Sequence, residues 1–194
     1  SEMCIRDRVK AAIDQFNLLP FYHSFAGKTV GPAIDLAEHL ISIAPPAADG
    51  SSFGKAFFCS SGSEANDTAM KMVWYYQAAR GKPEKRKIIS RRRGYHGVTM
   101  AAASMTALAY AQNGFGLPLD FVKHTTTPDY YNEGRDGESE AEFTARCAAE
   151  LEALIIEDGP ETVGALFAEP VMGAGGVIIP PANYWPLIAQ ICKE

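Results

Sequence analysis

Three short stretches combine residue types that could hold or polarise a ligand. The first is Ser60-Ser61-Gly62-Ser63-Glu64-Ala65-Asn66-Asp67. A glycine and a serine at a helix start offer unpaired backbone N–H groups, a hydroxyl and the positive end of the helix dipole, which together suit a phosphate. The same residues also read as a plain cap, with Ser63 as N-cap and acidic residues in the first turn. No Gly-Lys-Ser/Thr follows, so this is not a Walker A loop, and the spacing is not that of a Gly-x-Ser-x-Gly nucleophile elbow.

The second stretch is Gly94-Tyr95-His96-Gly97. Two glycines around two rings suit a loop whose backbone and aromatic plane approach a flat ligand; a tight turn with two packing rings is the alternative. The third is Glu169-Pro170-Val171-Met172-Gly173-Ala174-Gly175-Gly176. A carboxylate ahead of a glycine-rich loop could orient a polar ligand atom, or could simply lie at the surface.

Positioning these stretches requires strands that end just before them. Lys55 to Ser60 is a compact apolar run that predicts a buried strand, and Lys87–Ser90, Phe121–His124 and Val163–Ala168 predict three more. Between them the periodicity predicts helices. One spans Ser63 to about Arg80, with a stripe of Ala65, Ala69, Met72, Val73 and Tyr76, and ends at Gly81 and Pro83. A small-residue helix covers Gly97 to Leu108. A loop over Asp129 to Gly137 precedes an amphipathic helix from Ser139 to about Glu157. That helix turns Phe143, Cys147, Leu151, Leu154 and Ile155 inward and Glu142, Arg146 and Glu150 outward. A short helix is also expected over Asp35–Ile43, stopped by Pro45-Pro46. Strands alternating with helices imply an α/β fold with a mostly parallel sheet, whose ligands bind at the carboxyl ends of the strands. All three candidate stretches fall there.

The 194 residues are 47% hydrophobic and 21% charged, which fits a globular chain and excludes a disordered tail or a coiled coil. A net charge of −5 argues against non-specific nucleic-acid binding, and the one basic block, Arg91-Arg92-Arg93, is too short to change that. No apolar run reaches the ~20 residues of a membrane helix. The cysteines at 4, 59, 147 and 192 and the histidines at 23, 39, 96 and 124 are dispersed, so no metal site is expected. Scattered cysteines and the lack of a secretory h-region point to free thiols and a cytoplasmic protein.

The ends of the chain carry separate expectations. Residues 1–8 (SEMCIRDR) lack apolar periodicity and are set aside as non-native read sequence, a frayed natural terminus being the alternative. Residues 9–54 are then an N-terminal segment, and residues 55–194 part of a larger α/β domain. Trp185, Ile188, Ala189 and Cys192 follow helical spacing up to the last residues with no closing signal, so the chain is expected to break off within a helix.

Taken together, SGSEAND at Ser61–Asp67, GYHG at Gly94–Gly97 and AEPVMGAGGVIIPP at Ala168–Pro181 resemble the class III aminotransferases, the ω-transaminases among them. LPFYHSF at Leu19–Phe25 and YWP at Tyr184–Pro186 agree more loosely. The resemblance implies the large domain of a fold type I enzyme, truncated here, that uses pyridoxal 5′-phosphate to move an amino group from an amine or amino acid to a keto acid such as pyruvate. It implies that Ser61, Gly62 and Ser63 hold the cofactor phosphate. Tyr95 would stack on the pyridine ring with His96 beside it, and Glu169 would support the ring-side hydrogen-bond network. Phe25 and Ala174 match substrate-pocket positions, Phe25 serving the neighbouring subunit of a homodimer.

The same resemblance places the Schiff-base lysine, and the acid that holds the pyridine nitrogen protonated, further along such proteins than the stretch matched by these residues. None of the lysines present lies in a matching context, so this chain by itself is expected not to turn over. A non-catalytic phosphate-binding module and another fold type I activity, such as an aminomutase or decarboxylase, remain as alternatives. A serine hydrolase using Ser61 or Ser63 with His96 is a further one, with no oxyanion loop to support it.

Overall fold

Three apolar runs pair into one sheet, joined by helix-containing connections long enough to bring the chain back parallel. In the computed structural model, which describes residues 2–25, 27–47 and 50–193, β1 (Lys87–Arg91) lies between β2 (Val122–Thr125) and β3 (Val163–Leu166). Both pairings are parallel, with Ile88 opposite Val122 and Ala165. The β1–β3 register slips after Lys87, leaving Gly164 unpaired. A Cβ at Gly164 would stand 2.6 Å from the Lys85 carbonyl oxygen, so only glycine fits the bulge.

Alternation along β1 sends successive side chains to opposite faces. Ile88 packs with Met70, Met105 and Val122 beneath α3 (Gly62–Ala79) and α4 (Met100–Met105). Ile89 faces α7 (Glu140–Asp158) and α8 (Tyr184–Ile191), joining Phe143, Cys147, Leu151, Tyr184 and Ile188. The result is a helix–sheet–helix sandwich. The start of α7 is fixed by a capping box, in which the Ser139 hydroxyl accepts from Glu142 N while the Glu142 carboxylate accepts from Ser139 N.

The chain divides into two units, Ser1–Phe58 and Cys59–Glu194. The sandwich belongs to the second. The first holds α1 (Glu2–Leu18) and α2 (Gly31–Ile43) and buries none of its described residues. No helix among the described residues is long and apolar enough to cross a membrane.

Several expectations are corrected. Lys55–Ser60 is not a strand: Phe57 is 74% exposed, and no described residue ladders with the run. A strand exists only through a partner, and apolar composition cannot supply one. The buried face of α3 is also rotated from the expected stripe. Met70 is buried and Val73 half-buried, whereas Ala65, Met72 and Tyr76 are exposed. Polar Ser63, Asn66 and Asp67 line the inward side in place of apolar residues.

The helix predicted over Gly97–Leu108 shrinks to α4, followed by the single turn α5 (Ala109–Gln112). Gly97 has φ +124°, outside helical space, so no helix can include it. The loop after β2 contains one turn, α6 (Tyr130–Glu133), capped by Asp129. Arg146 does not point away from the protein: its guanidinium folds back to grip Glu138 at 2.8 and 2.9 Å, holding that carboxyl at a pKa of about 2.

Candidate functional site

The helix start comes first. Ser61, not Ser63, is the N-cap of α3, and its hydroxyl oxygen accepts from Glu64 N at 3.2 Å. That places Gly62 and Ser63 in the first turn, where backbone N–H groups have no intrahelical acceptor. Neither N–H finds an acceptor among the described residues, and the space beside Gly62 is open. The Ser63 hydroxyl turns toward the Gly94–Gly97 stretch and accepts from Val98 N at 3.0 Å.

The two stretches meet at van der Waals limit. A Cβ on Gly97 would lie 2.5 Å from Ser63 Oγ and 2.9 Å from Ser63 Cα. The loop is also held from behind by the buried Thr106 hydroxyl, which accepts from His96 N at 2.7 Å and donates to the Gly97 carbonyl oxygen at 2.9 Å. Tyr95 sits two residues before this contact, 38% exposed.

Glu169 joins the third stretch to the second. Its Oε1 accepts from Tyr95 N at 2.9 Å and its Oε2 from Gly173 N at 3.0 Å. One carboxylate therefore fixes the backbone of both the tyrosine loop and the glycine-rich loop. Behind it, the buried Arg91 guanidinium donates to the Glu169 carbonyl oxygen and lies over the Trp185 ring at 5.3 Å. Burial lowers the His96 pKa, the Glu169 charge pulling the other way and Arg91 adding to the depression. The imidazole is therefore neutral near pH 7.

Ser61, Gly62, Ser63, Tyr95, His96 and Glu169 thus share one end of the sandwich, past the carboxyl ends of β1 and β3. His96 is buried rather than open to a ligand. Ala174 is exposed on the glycine-rich loop. Phe25 belongs to the first unit and is 80% exposed. No hydrogen bond links the His96 ring to Ser61 or Ser63 among the described residues, so the hydrolase pairing of nucleophile and base is not formed. Among the described residues no group of three or more histidine, cysteine or acidic side chains could hold a metal, and Cys59, Cys147 and Cys192 are free thiols.

Sequence reading missed several participants. Asn66 and Asp67 follow Ser63 at helical spacing and face the same loop, which the spacing alone could have shown. The triplet Arg91-Arg92-Arg93 reads as one basic block, yet each member goes elsewhere. Arg91 runs under Glu169, Arg92 donates to Thr126 Oγ1 at 2.8 Å, and Arg93 bridges Asp129 at 2.7 Å and the Gly175 carbonyl oxygen at 2.6 Å. Thr106 gave no signal at all.

Known proteins share this chain's sequence and fold. The model of the family described as aminotransferase class-III matches residues 6–194. Gamma aminobutyrate transaminase 1, mitochondrial, of Solanum lycopersicum is 50% identical over 186 residues, covering 96% of this chain and 35% of that protein. A probable gamma-aminobutyrate transaminase 2, mitochondrial, of Oryza sativa subsp. indica is also 50% identical, with 96% and 37% covered. The crystal structure of the omega transaminase from Pseudomonas jessenii in complex with PMP superposes with a TM-score of 0.90 at 52% identity, over 95% of this chain and 40% of that one. The chain thus spans little more than a third of the length of these relatives. Matched by that family model over residues 6–194, and with an α/β sandwich that superposes on a solved transaminase, the chain belongs to the class III aminotransferases.

Proposed function

We propose that this chain supplies the phosphate-binding helix, the ring-facing tyrosine and the supporting carboxylate of a pyridoxal-phosphate-dependent aminotransferase. The reading rests on one observation above all: Ser63 at the start of α3 touches the loop that carries Tyr95, and Tyr95 is tied in turn to Glu169. The donor set fits the cofactor. Unpaired amides at a helix start and a serine hydroxyl suit a dianionic phosphate, and a half-exposed tyrosine ring offers a face to a flat heterocycle.

In this reading Gly62 N–H and Ser63 N–H hold the phosphate, and the Ser63 hydroxyl, while accepting from Val98 N, keeps its own proton free to donate. Ser61 completes the helix cap beside them. Tyr95 covers one face of the ring and excludes water from it. His96, neutral and buried, fills the space behind the loop. Glu169 holds Tyr95 and the glycine-rich loop at a fixed separation. Pyridoxal phosphate, when bound, supplies an electron sink for the pair released at the substrate carbon. The lysine that moves the proton lies, by the family resemblance, beyond the residues matched here.

The substrates we infer are an amine or amino acid as donor and a keto acid such as pyruvate as acceptor, in keeping with relatives named gamma-aminobutyrate and omega transaminases. Ala174 and Phe25 would line the substrate pocket, Phe25 in the neighbouring subunit of a homodimer. We place the enzyme in the cytoplasm on its free thiols, although several plant relatives are named mitochondrial. Residues 1–8 stand as non-native sequence in this proposal, with 9–54 leading into the large domain.

The test is cofactor binding by the complete enzyme. Tyr95→Ala should weaken pyridoxal phosphate binding about tenfold, the order expected for losing a stacked ring. A variant that binds as tightly as its parent removes the stacking role, and a parent that binds no pyridoxal phosphate removes the function.

A further inference from the structure

Three side chains on one face of α3, at positions i, i+3 and i+4, all bond to the segment just beyond Tyr95. Ser63 is the first. Asn66 Nδ2 donates to the His96 carbonyl oxygen at 2.7 Å. Asp67 Oδ1 accepts twice, from Thr99 Oγ1 at 2.9 Å and from Ala102 N at 3.0 Å.

The Asp67 contacts replace something that is missing locally. Thr99 is the N-cap of α4, yet its own side chain caps nothing. Its hydroxyl donates to Asp67 instead, and Asp67 takes the Ala102 amide that an N-cap side chain would normally satisfy. The start of α4 is therefore capped from α3, across 35 residues of sequence. On its other side the loop hangs on Thr106. Residues 96–99 are thus pinned from both directions, with Tyr95 as the next residue outward.

We propose that Asn66 and Asp67 are positioning residues for the cofactor. They form a clamp that sets the distance between the phosphate-binding turn of α3 and the Tyr95 ring. This inference rests on the proposed function. Without the clamp, residues 95–99 regain backbone freedom, and the ring loses its fixed place opposite the helix start. Both donors to Asp67 are neutral, so the clamp needs an acceptor of the right shape and not a charge. Asparagine at position 67 satisfies it and alanine does not.

The experiment uses the complete enzyme and reads three quantities: equilibrium pyridoxal phosphate binding, the visible circular dichroism per bound cofactor, and the unfolding midpoint of the cofactor-free protein. Asp67→Ala should weaken binding about tenfold and reduce the dichroism, because ring orientation is lost. Asp67→Asn should stay within about twofold of the parent in both. Asn66→Ala, which removes one bond, should weaken binding about threefold. If Asp67→Ala cannot be recovered folded, Thr99→Val removes one donor to the same oxygen and should also cost about threefold. A lowered unfolding midpoint with unchanged binding and dichroism makes these residues merely structural and overturns the clamp. Asp67→Asn behaving like Asp67→Ala overturns it too. A parent that binds no pyridoxal phosphate overturns the clamp and the function together.

Discussion

Replacing Gly97 by alanine should damage this protein more than any comparable glycine substitution in the second unit that meets only open space. Two costs combine there. The residue sits at φ +124°, a conformation that costs a non-glycine residue about 1–3 kcal/mol. The new methyl group would stand 2.5 Å from Ser63 Oγ and 2.9 Å from Ser63 Cα, an overlap of the kind that costs about 1–3 kcal/mol. Relief by movement is blocked, because Thr106 bonds both the N–H and the carbonyl of Gly97, at 3.2 and 2.9 Å. The sum is about 2–6 kcal/mol. Gly114 supplies the control: its φ of +83° imposes strain, but a Cβ there meets nothing within 4 Å. Gly114→Ala should therefore cost only about 1–2 kcal/mol. Urea unfolding of the two cofactor-free variants beside their parent, at unchanged slope, isolates the collision. If the two midpoints coincide, Gly97 does not press on Ser63, and the joining of the helix start to the tyrosine loop is wrong.

Two further outcomes come from buried titrating groups. Burial depresses the pKa of both His96 and His124, so the unfolded chain binds protons near pH 6.5 that the folded chain refuses. Stability is then full above about pH 6.5 and lost as the pH falls through the depressed folded values, at up to about 1.4 kcal/mol per pH unit for each histidine. His124→Gln should flatten the fall in unfolding midpoint between pH 8 and 5, and curves that run parallel to the parent's would refute this. Burial also pushes the Cys147 thiol up to about 11, against the pull of Arg146, and leaves it 2% exposed. It should resist an aromatic disulfide reagent at pH 8 until urea is added, and prompt labelling of the native protein would contradict its place on the buried face of α7.

Local physics made much of the second unit legible. α7 announces itself through Phe143, Cys147 and Leu151 recurring every four residues. The runs at Lys87, Phe121 and Val163 are each apolar, short and bounded, and each becomes a strand within a residue or two of its expected limits. The candidate stretches after β1 and β3, and the family that all three stretches resemble, could likewise be read from residue types and spacing.

Partnership is what the sequence left open, since it depends on atoms distant along the chain. The Lys55–Ser60 run is as apolar as a true strand but ladders with no described residue. α3 turns polar Asn66 and Asp67 inward because a loop about thirty residues later presents a carbonyl, an amide and a hydroxyl to them. Three consecutive arginines part company because β1 alternates its faces and its end meets Glu169, Thr126 and Asp129 in turn. Residue type and spacing named the pieces of the site; only the close packing of α3 against the Gly97 turn decided that they share one place.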